Sequence, residues 1–159
     1  MKVRELMTRN VACCRPDTNL AAAGALMWDN DCGVLPVIDE SGKVTGLITD
    51  RDICIALATR DGQSSKVTVG DVATTKVAMC DADDDIHSAM KTMRRDKIRR
   101  LPVVNRVGAL EGILSINDLV LRAEKGDDRR TPELSYDDVM HTLQGICAHL
   151  PGKIHVVAA

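Results

Sequence analysis

The sequence predicts an α+β fold: two β-α-β-β-α units packed sheet to sheet, followed by a C-terminal helix. Three observations predict it. The chain repeats itself at a spacing of 66 residues. Each copy combines short apolar strands with one-sided helical periodicity. After residue 125 the pattern gives way to a polar stretch and one amphipathic run.

Pro36 and Pro102 set the spacing, in Val34-Leu35-Pro36-Val37-Ile38 and Arg100-Leu101-Pro102-Val103-Val104. The same shift lays Val11-Ala12 on Val77-Ala78, Cys14 on Cys80, Ala23 on Ala89 and Met27 on Met93. It also lays Gly42 on Gly108, Gly46 on Gly112 and Asp52 on Asp118, without a gap from Val3 to Cys54. The copies span 1–62 and 67–125, joined by the polar linker 63–66.

Within each copy the elements follow in order. A first strand is expected at 11–14 and again at 77–80. Asp83-Asp84-Asp85 suits the positive end of a helix, and Ile86, Ala89, Met90 and Met93 recur on one helical face. Leu20, Ala23, Gly24 and Met27 hold the same places in the first copy. Two apolar strands, 34–38 and 44–49, flank the turn cluster Asp39-Glu40-Ser41-Gly42-Lys43. A second helix starts near Asp50 and again near Ile116. A unit of this size buries too little surface alone, so the two are expected to share a joint core.

Residues 126–132 read as a polar linker within a tail that spans 126–159. Ser135-x-x-Asp138 has the form of a helix capping box, and Val139, Leu143, Ile146 and Leu150 follow at helical spacing. Pro151-Gly152 ends that helix, and 153–159 is a candidate last strand. The apolar face needs a cover: the main body, a second copy of the chain, or a separate protein.

Composition removes several function classes. Among 159 residues, 45% are hydrophobic and 28% charged, with a net charge of −2, so no basic field attracts nucleic acid. One Trp, one Tyr and no Phe leave no stacking platform for single strands. Nothing approaches the ~18 consecutive apolar residues of a membrane span. Met1-Lys2-Val3-Arg4-Glu5 does not resemble a secretory signal. The six cysteines, 13, 14, 32, 54, 80 and 147, form no C-x-x-C pair and are read as reduced core residues of a cytoplasmic protein. The four histidines lack zinc-site spacing, so no metal is expected.

Nucleotide-binding glycine motifs, H-E-x-x-H and G-x-S-x-G are all absent, which leaves catalysis without named residues. One constellation occurs twice: Gly46-Leu47-Ile48-Thr49-Asp50-Arg51-Asp52 and Gly112-Ile113-Leu114-Ser115-Ile116-Asn117-Asp118. It has two compatible readings. Thr49 and Ser115 can cap a helix reciprocally with the aspartate three residues on. The same helix start can receive a phosphate while the aspartate accepts from a ribose diol.

With the duplication, the unit order, the two apolar-Pro-Val segments and the doubled Gly-x-x-Ser/Thr-x-x-Asp motif, residues 1–123 resemble a tandem pair of CBS domains. That resemblance implies a pseudo-twofold axis and two clefts between the repeats. It implies a non-catalytic regulatory module that binds AMP or another adenosine ligand (ADP, ATP, NAD or S-adenosylmethionine) and signals to an effector protein in trans. It further implies a homodimer formed through the outer helices.

Residue by residue, Asp52 and Asp118 would hold ribose, with Thr49 and Ser115 near phosphate. Thr8, Asn10 and Ala12, with Cys32 and Gly33 nearby, would frame adenine in the Asp118 cleft. Thr74, Lys76 and Ala78 would do so in the Asp52 cleft, and Ile98 and Ile113 complete the apolar contacts. Arg99 and Arg100 are the implied phosphate ligands, assisted by Arg51, whose counterpart Asn117 is uncharged. The first copy has Gly33-Val34 where the second has Arg99-Arg100, so two equal sites are not implied. The rivals are a ligand-free structural or dimerisation module, a nucleotide hydrolase, and a redox sensor built on Cys13-Cys14.

Overall fold

The computed structural model describes residues 1–60, 62–126 and 131–148. The first repeat contains β1 (Thr8–Arg9), α1 (Leu20–Asp29), β2 (Val34–Ile38), β3 (Val44–Thr49) and α2 (Asp50–Arg60). The second contains β4 (Cys80–Asp81), α3 (Ile86–Asp96), β5 (Arg100–Val104), β6 (Leu110–Ser115) and α4 (Ile116–Arg122). A last helix, α5, covers Tyr136–Cys147. The architecture is the α+β duplication that the sequence predicts, with its C-terminal helix.

Local chemistry explains the matched elements. Asn19 caps α1 by accepting from the Ala22 N–H at 2.9 Å, and Asp85 caps α3 by accepting from the His87 N–H at 2.9 Å. Ile86, Ala89, Met90 and Met93 bury the predicted face of α3. Just past both helix ends, matching residues Asp31 (φ 47°) and Lys97 (φ 54°) turn left-handed. The hairpins β2–β3 and β5–β6 share one register, with Leu35 facing Ile48 as Leu101 faces Leu114. In their turns Asp39 and Asn105 each accept two backbone N–H bonds, from Ser41 and Lys43 and from Val107 and Ala109.

The repeats are joined by strand pairing across the molecule. Thr8 pairs with Ile113 and Arg9 with Gly112, while Thr74 pairs with Leu47. Lys2 faces Asp85 as Thr68 faces Asn19, and Lys43 meets Ala109. Under the 66-residue shift these contacts map onto one another, which is the signature of a pseudo-twofold axis. Two motif glycines permit the crossing. A Cβ at Gly112 would lie 2.4 Å from the Thr8 carbonyl oxygen, and one at Gly46 would lie 3.1 Å from that of Thr74.

The crossing corrects two expectations. The first strands at 11–14 and 77–80 are not continuous. Each segment starts on the other repeat's sheet and ends on its own, where Cys14 bridges Val37 and Cys80 pairs with Val103. Between those ends it has no single ladder to join. The core is also two clusters rather than one. Val3 and Met7 pack with Ile86, Met90 and Leu114 of the second repeat, and Val69 packs with Leu20, Leu35 and Ile48 of the first. Each small unit is completed by the leading segment of the other, which supplies apolar area it lacks alone.

Helix α5 packs against α3 and α4. Its capping box is formed, with Asp138 Oδ2 accepting from the Ser135 hydroxyl at 2.6 Å and N–H at 3.0 Å. Leu134, Val139 and Ile146 are buried in the second core, so the main body covers the predicted apolar face. Thr142 is fully buried, donates to the Asp138 carbonyl at 2.8 Å and accepts from Arg94 Nη1 at 3.0 Å. Lys97 donates to the Ala148 carbonyl at the helix end. Leu150, Pro151-Gly152 and the candidate strand 153–159 lie outside the described residues. No helix among the described residues is long and apolar enough to cross a membrane.

Candidate functional site: two clefts between the repeats

The cross-repeat strands open a cavity on either side of the axis. The Asp52 cleft, about 710 Å³, is lined by Thr49, Asp52, Thr74, Lys76, Ala78, Ile98 and Arg100 among the expected residues. The Asp118 cleft, about 360 Å³, is lined by Thr8, Asn10, Ala12, Cys32, Gly33, Ile113 and Ser115. The walls correspond under the repeat: Leu47 with Ile113, Val77 with Val11, Ala78 with Ala12 and Ile98 with Cys32. In both, apolar strand residues form one wall and a capped helix start the other.

The reciprocal cap is present at both helix starts. Asp52 Oδ2 accepts from the Thr49 N–H at 2.9 Å and hydroxyl at 2.7 Å, and the Asp52 N–H donates back to that hydroxyl at 3.2 Å. Asp118 repeats the arrangement with Ser115 at 2.7, 2.6 and 3.3 Å. The hydroxyl protons are therefore committed to the caps. Asp50 Oδ1 also accepts from the Arg51 N–H at 2.7 Å, so carboxylates already serve the first turn of α2. These bonds leave little donor capacity for the phosphate expected at the helix start, and side-chain cations must supply it instead.

The two carboxylates differ in their second oxygen. Asp118 Oδ1 accepts from the Thr8 hydroxyl at 3.2 Å. Among the described residues Asp52 Oδ1 accepts no bond. Asp52 thus presents an open acceptor to its cleft, whereas Asp118 stands behind Thr8 and does not itself line the cavity.

Charge separates the clefts further. Lys76, Arg95 and Arg100 face Asp52 and Asp96 in the larger one. Arg95 forks onto Asp96 with two bonds of 2.7 Å. These bonds, with the charges of Arg95 and Lys76, hold the Asp96 carboxyl below its ordinary value. Arg100 has no carboxylate within ion-pair reach among the described residues. In the smaller cleft Lys76 is replaced by Asn10, which adopts φ 54°, and among the described residues Arg100 is its one lining cation.

Four expected residues are not brought to either cavity: Asp118, held behind Thr8, and Arg99, Arg51 and Asn117. Arg99 precedes Arg100 at the edge of β5, where successive side chains take opposite faces, and its carbonyl accepts from the Ile116 N–H at 2.9 Å. Arg51 and Asn117 are exposed on the outer sides of α2 and α4. Conversely, Arg95, which was not among the expected site residues, lines the Asp52 cleft beside Asp96 while its side chain stays largely exposed. Asn30, Asp31 and Val34 of the smaller cleft were also missed. Applying the 66-residue shift to Ile98 and Arg100 points to Cys32 and Val34, so the repeat itself held that signal.

Only two of the six cysteines are core residues, Cys14 and Cys80; Cys54 and Cys147 are exposed, and Cys32 lies in the cleft wall. Burial pushes the Cys80 thiol up to about 12, helped by Asp84 and Asp81, and the Cys14 thiol up to about 11, helped by Cys13. No group of three or more His, Cys, Asp or Glu among the described residues could hold a metal ion.

Tandem β-α-β-β-α units with a polar-ended cleft on each side of a pseudo-twofold axis define a paired ligand-cleft module. The chain belongs to the CBS domain family, whose profile matches residues 3–59 and 69–125. The CBS domain-containing protein YhcV of Bacillus subtilis is 32% identical over 119 residues, 75% of this chain and 83% of that protein. Hypoxic response protein 1 of Mycobacterium tuberculosis is 29% identical over 116 residues, 73% of this chain and 80% of that one. A crystal structure of Hypoxic Response Protein I with two coordinated zinc ions superposes with a TM-score of 0.71 at 27% identity, covering 78% of this chain and all 100% of that one. CBSX2 of Arabidopsis thaliana in complex with AMP gives 0.66 at 26% identity, covering 76% of this chain and 93% of the other.

Proposed function

We propose that this chain is a regulatory, non-catalytic module that binds an adenine nucleotide, AMP or a close relative, principally in the Asp52 cleft. One observation carries the proposal: a single cavity of about 710 Å³ is lined by Asp52, whose Oδ1 accepts no bond among the described residues, by an apolar wall and by the unpaired Arg100. A ribose diol donates to Asp52, a flat base lies against Val77, Ala78 and Ile98, and phosphate meets Arg100 and Lys76. Guanidinium–phosphate pairs are charge-assisted and bidentate, which suits an arginine held by no carboxylate. The bound AMP of CBSX2, a protein of the same fold, supports the ligand class.

Regulation then requires that ligand favour one arrangement of the repeats over another. A second copy of the chain is the partner we propose for the outer face of α1 and α2. There Trp28 is 86% exposed and an open hollow of about 440 Å³ runs past Gly24, Met27 and Ile53. The corresponding face on α3 and α4 is occupied by α5, so the symmetric dimer implied by the resemblance would use one helical face per chain.

A thermal-shift screen with AMP, ADP, ATP, NAD and S-adenosylmethionine tests the ligand. At about 100 times its dissociation constant a ligand adds roughly 2.7 kcal/mol, and each kcal/mol moves the midpoint of a chain this size by about 2–4 °C. A shift of several degrees with one adenosine phosphate, lost in Asp52→Asn, is expected. No shift with any of them would favour the ligand-free structural module.

A further inference from the structure

Arg100 is the one residue that lines both clefts. It opens β5 opposite Ser115, which lines the Asp118 cleft, and it also lines the Asp52 cleft. Its counterpart in the first repeat is Val34, a buried apolar residue, so the pseudo-twofold axis does not generate a second guanidinium. Among the described residues no other cation lines the Asp118 cleft, where Asp31 contributes a negative charge. The Asp52 cleft retains Lys76 even without Arg100.

We infer that Arg100 is a single phosphate-binding group shared by the two clefts. The chain therefore holds one adenosine phosphate, in the Asp52 cleft, and beside it an uncharged adenosine nucleoside in the Asp118 cleft. This rests on the adenine-nucleotide function proposed above and adds the ligand chemistry of each cleft and the coupling between them. The physical reason is charge. A phosphate bound by the planar fork of Arg100 neutralises the one cation available to the second cleft. A second phosphate would then sit near the first and near Asp31 with no cation of its own, and like charges in a partly enclosed site repel. A nucleoside without phosphate makes no such demand and can use the apolar wall of Val11 and Ala12. By linkage the antagonism is reciprocal: phosphate in either cleft weakens phosphate in the other by the same factor.

Calorimetric titration of the full chain with AMP and with adenosine tests this, using wild type and Arg100→Ala. Arg100 is exposed and holds no side-chain partner among the described residues, so the variant is expected to fold, which its circular dichroism and melting temperature check. In wild type, the first AMP is expected to bind at least tenfold more tightly than the second, and protein holding one AMP still takes up one adenosine. Arg100→Ala weakens the first AMP at least tenfold and changes adenosine affinity less than twofold. Two equal, independent AMP sites would overturn the inference, as would an unchanged AMP affinity in Arg100→Ala or one bound AMP with no uptake of adenosine. Those results leave nucleotide binding itself standing. Absence of binding by both AMP and adenosine would overturn the proposed function and this inference together.

Discussion

The two repeats have the same strands, turns and caps, yet they present different chemistry on both of their surfaces. Facing the clefts, the second repeat contributes Arg95, Asp96 and Arg100; at the matching positions the first has Asn30 and Val34 in its cleft wall and Asp29 outside it. Facing outward, α5 packs on α3 and α4 of the second repeat, though Leu121 at the end of α4 stays exposed, while the first leaves Trp28 uncovered. Duplication supplied a backbone with two-fold potential, and differences at a few wall and helix positions make one half the ionic side of the larger cleft and leave the other an open outer face. The backbone is tolerant because the shared features, the caps and the glycine crossings, do not depend on those positions.

The outer faces give the largest expected contrast. Ile146→Ala removes a buried side chain where α5 meets the second core and should cost about 2–5 kcal/mol in denaturant unfolding. Trp28→Ala, on the corresponding open face, should stay within about 0.5 kcal/mol for the monomer at low concentration. Equal costs would mean that the first repeat's face is covered as well.

The glycine crossings come next. Gly112→Ala forces a Cβ to 2.4 Å from the Thr8 carbonyl, a backbone atom, whereas Gly46→Ala approaches Thr74 only to 3.1 Å. The first should cost about 1–3 kcal/mol and the second less, measured as melting temperature. Because Thr8 lines the smaller cleft, Gly112→Ala should also disturb ligand there more than in the Asp52 cleft.

The caps should be nearly equivalent. Ser115→Ala and Thr49→Ala each remove one reciprocal cap and should each cost about 1 kcal/mol. A much larger loss from one would show that its hydroxyl does more than cap its helix.

The smallest effect lies in the buried thiols, which occupy matched positions in the two cores. Their folded values are raised, to about 11 for Cys14 and about 12 for Cys80, from an ordinary value of 9.0, so the unfolded chain releases these protons first. Stability should therefore be flat through neutral pH and decline as pH rises past about 9, seen as a falling melting temperature that Cys14→Ala and Cys80→Ala reduce. At pH 8 a thiol reagent should modify Cys54 and Cys147 before either buried cysteine.

Much of the fold was legible because its signals are local. The strands 34–38 and 44–49, the helix starts at Asp50 and Ile116 and the Ser135 capping box all coincide with the structure. The first strand of each repeat was not, because residues 8–14 take their partners from two sheets, and the pairing of Thr8 with Ile113 spans most of the chain. The candidate clefts were legible in outline through the repeat. Their asymmetry was only half visible: Arg99 and Arg100 read alike in sequence, and the pleat of β5 brings only Arg100 to the cavities. The bond from Thr8 to Asp118, 110 residues apart in sequence, could not be read from spacing at all.

In the proposed function the open Asp52 carboxylate, not the engaged Asp118, anchors the nucleotide's ribose. Calorimetric titration of AMP into Asp52→Asn and Asp118→Asn tests it most directly, since asparagine keeps an acceptor for each cap. The expected result is at least a tenfold loss of affinity for the first AMP in Asp52→Asn and less than threefold in Asp118→Asn. Equal losses in both variants, or a loss confined to Asp118→Asn, would contradict it.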